Sequence, residues 1–150
     1  MNLQDNQIKS RFSFPVNLTA DEVEEGFTVT FRDLPEAITQ GESKEDALHE
    51  AADCLEEAIA NRVISRLEIP LPSEAYPTEY LITTPLQTSF KASILLAMQE
   101  ANLNQAKLAR ILSVNEKEVR RILDPSHNTK LETLERSLLA LGKKPILYVA

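Results

Sequence analysis

The stretch that most restricts the fold of this chain is Gln105 to Leu123, QAKLARILSVNEKEVRRIL. Leu108, Ala109 and Leu112 fall on one helical face, Val114 marks a corner, and Val119, Ile122 and Leu123 resume the apolar face beyond it. The spacing predicts two short helices folded around a tight turn. Ala109 matters most, because two helices that cross steeply approach closely only over a small side chain. This is the pattern of a DNA-binding helix-turn-helix, whose second helix enters the major groove. Asn115 is placed to cap that second helix, and Glu116, Lys117, Arg120 and Arg121 are its outward positions. Arg and Lys reach guanine edges, and Glu accepts from cytosine. Gln105 opens the first motif helix, where a side chain and the free N–H groups of a helix start hold a phosphate. Lys107, Thr129 and Lys130 are expected phosphate contacts. Two positions depart from the usual pattern. Ser113 occupies a corner often given to glycine because the backbone there tends to positive φ, and Arg120 occupies a position where serine is common. One such unit reads only a few base pairs, so a homodimer or larger homo-oligomer on a two-fold operator is expected.

A net charge of -7 sits badly with DNA binding, but it averages two unlike halves. Residues 1–88 carry 6 Lys/Arg against 17 Asp/Glu, a net -11, whereas residues 89–150 carry 10 against 6, a net +4. A basic half suits nucleic acid, and an acidic half suits a basic partner. With 150 residues there is room for two small domains, and the charge asymmetry predicts them as 1–84 and 85–150. Cys54 is the single cysteine, which leaves no internal disulfide and no zinc cluster of cysteines. It reads as a small apolar residue on a helix in a reducing compartment. The start, MNLQDNQIKSRF, lacks the apolar run of a signal peptide, and no apolar stretch approaches membrane-spanning length, so a soluble cytoplasmic protein is expected.

The acidic half alternates rather than cycles. Phe12, Phe14, Val16 and Leu18 interleave with polar residues as a half-buried strand, and Pro15 within it predicts a free edge there. Phe27, Val29 and Phe31 form a second strand ended by Asp33, Leu34 and Pro35, and Ile38 with Thr39 a short third one before Gly41. Ser43 is placed to cap a helix from Lys44 to about Ser65. Four prolines between Pro70 and Pro85 break regular structure, with a short strand at Tyr80 to Thr83. The basic half is helical: Leu86 to Ala101, the two motif helices, and Lys130 to Leu141, with Leu131, Leu134, Leu138 and Leu141 inward. Pro145 to Ala150, PILYVA, is expected to pair as a terminal strand across a dimer. The fold class is therefore α+β, a small N-terminal sheet with one packed helix followed by an all-α helix-turn-helix domain.

The order strand, strand, strand, helix, strand, together with Asp33, Leu34, Pro35, Thr39, Gly41, Glu45, Ala47, Ala51 and Leu55, resembles the HicB antitoxin family. The PLPSEAYP stretch after the helix fits too, and the resemblance covers roughly residues 10 to 84. The usual glycine after D-L-P is replaced by Glu36 and Ala37. Many members append a helix-turn-helix of the Xre/Cro-like group, which the segment Gln105 to Leu123 resembles. The resemblance implies a truncated ribonuclease-H-like sheet, a small basic mRNA-cleaving HicA-like toxin as partner, and repression of the protein's own operon. Phe31, Asp33, Leu34, Glu45, Asp46, Glu50 and Asp53 are the expected toxin contacts.

Two other readings remain open at this level. A ribonuclease-H-like sheet raises a metal-dependent nuclease, for which Asp33 at a strand end and Asp53 on the helix are the available carboxylates. Neither His49 nor His127 sits near a Ser or Cys arranged as a nucleophile, and no catalytic residue, metal ligand or cofactor is expected. The other reading is a repressor whose N-terminal domain senses a small ligand, although about 80 residues with few glycines leave little room for a large buried pocket.

Overall fold

The computed structural model describes residues 9–149. The fold is mixed α+β, with four strands, β1 (Ser13–Ala20), β2 (Phe27–Phe31), β3 (Leu34–Gly41) and β4 (Tyr80–Thr83), and five helices. The helices are α1 (Lys44–Ser65), α2 (Leu86–Glu100), α3 (Gln105–Leu112), α4 (Glu116–Leu123) and α5 (Leu131–Ala140). The chain divides into two compact units. One takes the chain up to Ala58 together with Pro70–Thr84, and the other takes Ile59–Ile69 together with the chain from Pro85 onward. Helix α1 is thus divided between them at Ala58. No helix among the described residues is long and apolar enough to cross a membrane.

The first unit holds an antiparallel sheet in the order β3-β2-β1-β4. Strand β1 is central, yet its two ladders do not overlap: β4 pairs with Ser13 to Val16 and β2 with Asn17 to Ala20. Pro15, opposite Leu81, therefore lies where the β2 ladder has not begun, and its missing N–H removes no rung from it. The expected free edge at Pro15 exists on the β2 side only. Strand β3 runs eight residues rather than the two expected, because the chain reverses at Arg32 and Asp33 and Leu34 is already paired to Phe31. Pro35 is tolerated because β3 is an edge strand with a single neighbour. A register shift at Thr30/Phe31 takes up the irregularity of so tight a reversal.

Alternation decides which face is buried. Phe14, Val16, Val29, Phe31, Leu34 and Ala37 are buried, as are Ala47, Ala51, Leu55 and Ala58 along α1. The opposite sheet row, Asn17, Thr28, Ile38 and Gln40, is exposed, as expected of an antiparallel sheet covered on one side. Helix α1 starts as predicted: the Asp46 amide donates to Ser43 Oγ at 3.1 Å, and Asp46 Oδ2 accepts from the Glu42 amide at 2.9 Å. Two helix-start donors are satisfied in this way.

In the second unit Ala92, Ile94, Leu95 and Met98 of α2, Leu108 and Ala109 of α3, Val119 and Ile122 of α4, and Leu134 and Leu138 of α5 form the buried apolar set. Leu131, expected inward, is 59% exposed: it shares the helical face of Leu134 and Leu138 but is the first residue of α5, at the end of that stripe. Residues Pro145–Val149 form no strand within the chain, and Ile146, Leu147, Tyr148 and Val149 are all largely exposed. The last residue of the expected terminal strand, Ala150, lies outside the described residues.

Candidate functional site

Helices α3 and α4 are each two turns long and are joined by Ser113, Val114 and Asn115. Both begin on an asparagine cap. Asn104 Oδ1 accepts from the Lys107 amide at 2.8 Å, and Asn115 Oδ1 accepts from the Glu118 amide at 2.8 Å. Asn115 therefore serves as the cap predicted for it, through its side chain. Ala109 is buried at the junction, and its carbonyl accepts from the Val114 amide at 3.0 Å, which closes the end of α3. Ser113 is left-handed, with φ 56° and ψ 43°. That is the conformation glycine adopts at no steric cost. Ser113→Gly is therefore expected to stabilise the helical unit by about 0.5–1 kcal/mol, the relieved strain being partly offset by extra freedom in the unfolded chain. A lower melting temperature for the variant would show that the serine side chain holds the corner.

The outer face of α4 carries Glu116, Lys117, Arg120 and Arg121, all exposed. Arg121 lies 3.6 Å from Glu118 in an ion pair one turn back on the same helix. Lys107 and Lys130 are exposed and Gln105 is half-buried at the start of α3. Thr129 is placed differently from these. It is buried, its amide donates to Gln87 Oε1 at 3.3 Å, and its carbonyl accepts from Gln87 Nε2 at 2.7 Å. Its hydroxyl accepts from Lys91 Nζ at 2.7 Å, so neither its side chain nor its backbone is turned toward a phosphate.

Lys91 escaped the sequence reading. It is fully buried on α2 and donates to the carbonyls of Arg121 (2.9 Å) and Asp124 (2.8 Å) as well as to Thr129. Burial pushes its pKa down to about 8, opposed by the Asp124 carboxylate. Hydrogen bonds from the Ser126 hydroxyl and amide in turn hold the Asp124 carboxyl below its usual range. No sequence pattern marks such a lysine, since its partners, two backbone carbonyls and a hydroxyl, lie 30 to 38 residues away.

The residues expected to meet a partner in the acidic unit fall into two groups. Phe31 and Leu34 belong to the core, at 2% and 0% exposure, so a partner cannot reach their side chains. They are directly paired across the β2–β3 reversal, so both side chains point to the same, buried face. Asp33 accepts from the Ser73 hydroxyl at 2.5 Å and from the Ser73 amide at 2.8 Å, one on each carboxylate oxygen. It pins the proline-rich segment, as does Arg32, whose Nη2 donates to the Glu74 carbonyl. Asp46 is engaged in capping α1. Glu45 and Asp53 are exposed and Glu50 is half-buried, which leaves these three on the surface of α1.

Beside this segment an open groove of about 320 Å³ is lined by Asn17, Thr30, Ile38, Tyr76 and Glu79 among others. Its charged wall is internally paired. Arg32 Nη2 lies 3.0 Å from Glu79 and the guanidinium stacks 4.3 Å from the Tyr76 ring centre, so the Glu79 carboxyl is held below its usual range. Among the described residues no group of three or more His, Cys, Asp or Glu side chains is placed to hold a metal ion.

Residues 13–93 match the family described as HicB-like antitoxin of bacterial toxin-antitoxin system. "Antitoxin HicB 2" of Photorhabdus laumondii is 38% identical over 130 residues, which is 87% of this chain and 91% of that protein. "Antitoxin HicB" of Escherichia coli K12 is 34% identical across 87% of this chain and 94% of its own length. "Antitoxin HicB" of Pseudomonas fluorescens is 31% identical across 78% of this chain and 81% of its own length. The chain belongs to the HicB-like antitoxin family.

Proposed function

Starting from that membership, we propose that this chain is a non-enzymatic antitoxin with two separable binding activities. The acidic unit binds and neutralises a small basic mRNA-cleaving toxin of the HicA type. The helical unit acts as a helix-turn-helix of the Xre/Cro-like group and represses the protein's own operon in the cytoplasm. On this reading the sheet is a truncated ribonuclease-H-like one. The observation that carries the proposal is the α3–α4 pair: a small residue at the junction, a left-handed corner, an asparagine cap, and Lys117, Arg120 and Arg121 along the outer face. Lys107, Lys130 and the start of α3 at Gln105 are assigned to phosphate, while Glu116 and the basic residues of α4 face the groove. Asn115 orients α4 as its cap.

On the acidic side, the surface carboxylates Glu45, Glu50 and Asp53 suit a partner that must itself be basic to hold RNA. The helical unit also exposes Leu131, Leu139 and Ile146 to Val149, which supports assembly as a homodimer or larger oligomer, with the C-terminal segment lying against a second copy. The nuclease reading loses its main carboxylate, since both oxygens of Asp33 are engaged by Ser73. The ligand-sensor reading has an open groove, not an enclosed cavity, and its charged groups already satisfy one another.

The test is to purify the chain with the product of the reading frame adjoining its gene, which is expected to be small and basic. A stable complex in which RNA cleavage stops, together with selective retention of the DNA just upstream of the gene, is the expected outcome. Failure to bind that product while still retaining the DNA selectively would return the protein to the class of ligand-responsive repressors.

A further inference from the structure

A two-turn helix that reads DNA has to be held at both ends. The N-terminal end of α4 is capped locally by Asn115. The C-terminal end has no glycine and no left-handed residue: Asp124 follows at φ -86°, ψ 110°, and its amide reaches back to the Arg121 carbonyl at 3.2 Å. Beyond that, the His127 amide donates to the Asp124 carbonyl at 3.0 Å and the Thr129 hydroxyl lies 3.5 Å from the Arg121 carbonyl, and a charged donor reaches this end from another helix. The ammonium of Lys91 on α2 has three N–H groups, and three oxygens receive them, those of Arg121 and Asp124 from the end of α4 and Thr129 from the loop beyond. It also places a positive charge at the negative end of the α4 dipole. One turn earlier on α2, Gln87 clamps the Thr129 peptide through both its donor and its acceptor. Helix α2 thus grips the end of α4 and the following loop by side chains alone.

We propose that Lys91 is the positioning residue of the DNA-reading helix, setting the pose of α4 through a buried knot with Gln87 and Thr129. The inference rests on the reading of α4 given above. An ammonium is a poor choice for filling a core, because burying it is unfavourable unless every N–H finds a partner, and an apolar side chain of equal length would fill the space more simply. What the lysine adds is direction. Its three bonds define where the last turn of α4 lies, and Arg120 and Arg121 project from that turn. Base-edge hydrogen bonds tolerate displacements of only about 0.5 Å, so a helix free to tilt at its C-terminal end loses selection before it loses charge.

The test uses the full chain carrying Lys91→Met, which keeps the side-chain length and removes the donors. The probes are a duplex from the DNA immediately upstream of the gene and a random duplex of equal length, at the same salt and at a temperature where circular dichroism shows the helices intact. Lys91→Met is expected to weaken binding to the upstream duplex at least about tenfold, with the random duplex affected by less than about threefold. Thr129→Val, which keeps the shape and removes one acceptor, should move the ratio the same way by less. A partly unfolded protein loses both duplexes equally, so the ratio reports pose rather than the amount folded. If Lys91→Met fails to fold, Thr129→Val decides: a reduced ratio supports the proposal and an unchanged one overturns it. A folded Lys91→Met chain with wild-type selectivity also overturns it. If the wild-type chain does not distinguish the duplexes, the DNA reading itself has failed. Amide exchange at Ile122, Leu123 and Asp124 then still reports on the grip, with faster exchange in the variant supporting it and unchanged exchange refuting it.

Discussion

Gly41→Ala is expected to unfold or severely weaken the acidic unit while leaving the helical unit intact. The position has no unusual φ, so the requirement is for space. A Cβ built there would lie 2.4 Å from the amide nitrogen of Ala47, 2.5 Å from its Cα and 2.9 Å from its Cβ. None of these is the free end of a flexible side chain. The two nearest are backbone atoms in the first turn of α1, where the Ala47 amide already donates to the Ser43 carbonyl at 2.8 Å, and the third is a Cβ fixed to that backbone. Relief requires either the end of β3 or the start of α1 to move, and both are committed: Gly41 is paired with Phe27, and α1 is capped by Ser43. The carbonyl of Gly41 is crowded as well, since a Cβ on Gly26 would approach it to 2.8 Å. Overpacking costs roughly 1–3 kcal/mol where side chains can yield, and a backbone contact this short belongs at or above the top of that range. For a unit of this size that is a fall of about 10–20 °C in melting temperature. The measurement is a thermal melt of the variant beside toxin co-purification and retention on upstream DNA. A melting temperature within about 2 °C of wild type would show that β3 and α1 can part freely at this point. Loss of DNA retention together with toxin binding would show that the two activities are not separable.

How far the site is legible in the sequence depends on where each residue's partners lie. Ser43, Asn115 and the Ser113 corner are local features, satisfied within three or four residues, and pattern alone locates them. Strand β3 is misjudged because Asp33, Leu34 and Pro35 look like a terminator. The actual reversal needs only Arg32 and Asp33, and an edge position makes Pro35 harmless. Leu34 is drawn toward a surface role by its place in a family motif and Phe31 by its nearness to it, whereas strand alternation already assigned Phe31 to the buried row. Asp33 looks like a functional carboxylate until its partner forty residues away is visible. Lys91 and Gln87 are the extreme case. A lysine amid apolar helix residues reads as an exposed charge, and only the folded chain brings the end of α4 to it. Local capping is therefore readable in one dimension, and polar groups buried by tertiary contact are not.

Removing both Lys117 and Arg120 by alanine substitution is expected to abolish selective DNA binding without touching toxin binding or stability. Both side chains are exposed on the face of α4 opposite its buried residues Val119, Ile122 and Leu123, so their removal leaves no cavity and no unpaired buried group. A good base contact is worth about 1–3 kcal/mol of discrimination, so the double variant should lose on the order of a hundredfold or more for the upstream duplex. The salt dependence of the single variants separates their roles. A residue that contacts phosphate lowers the slope of log K against log salt by about one when removed, whereas a base contact lowers affinity with little change in slope. Arg120, projecting from the last turn of α4, is expected to behave as the base contact. Lys107, on α3, is expected to behave as the phosphate contact, with Lys107→Ala weakening upstream and random duplexes alike. Arg121 supplies an internal comparison, because it is paired with Glu118 at 3.6 Å and its carbonyl is held by Lys91. Truncating its side chain removes a charge but leaves the Lys91 contact in place, so any loss of selectivity there belongs to the guanidinium and not to the pose of the helix. A double Lys117 and Arg120 variant that still prefers the upstream duplex would move the reading surface off α4, and with it the assignment of this helix to the major groove.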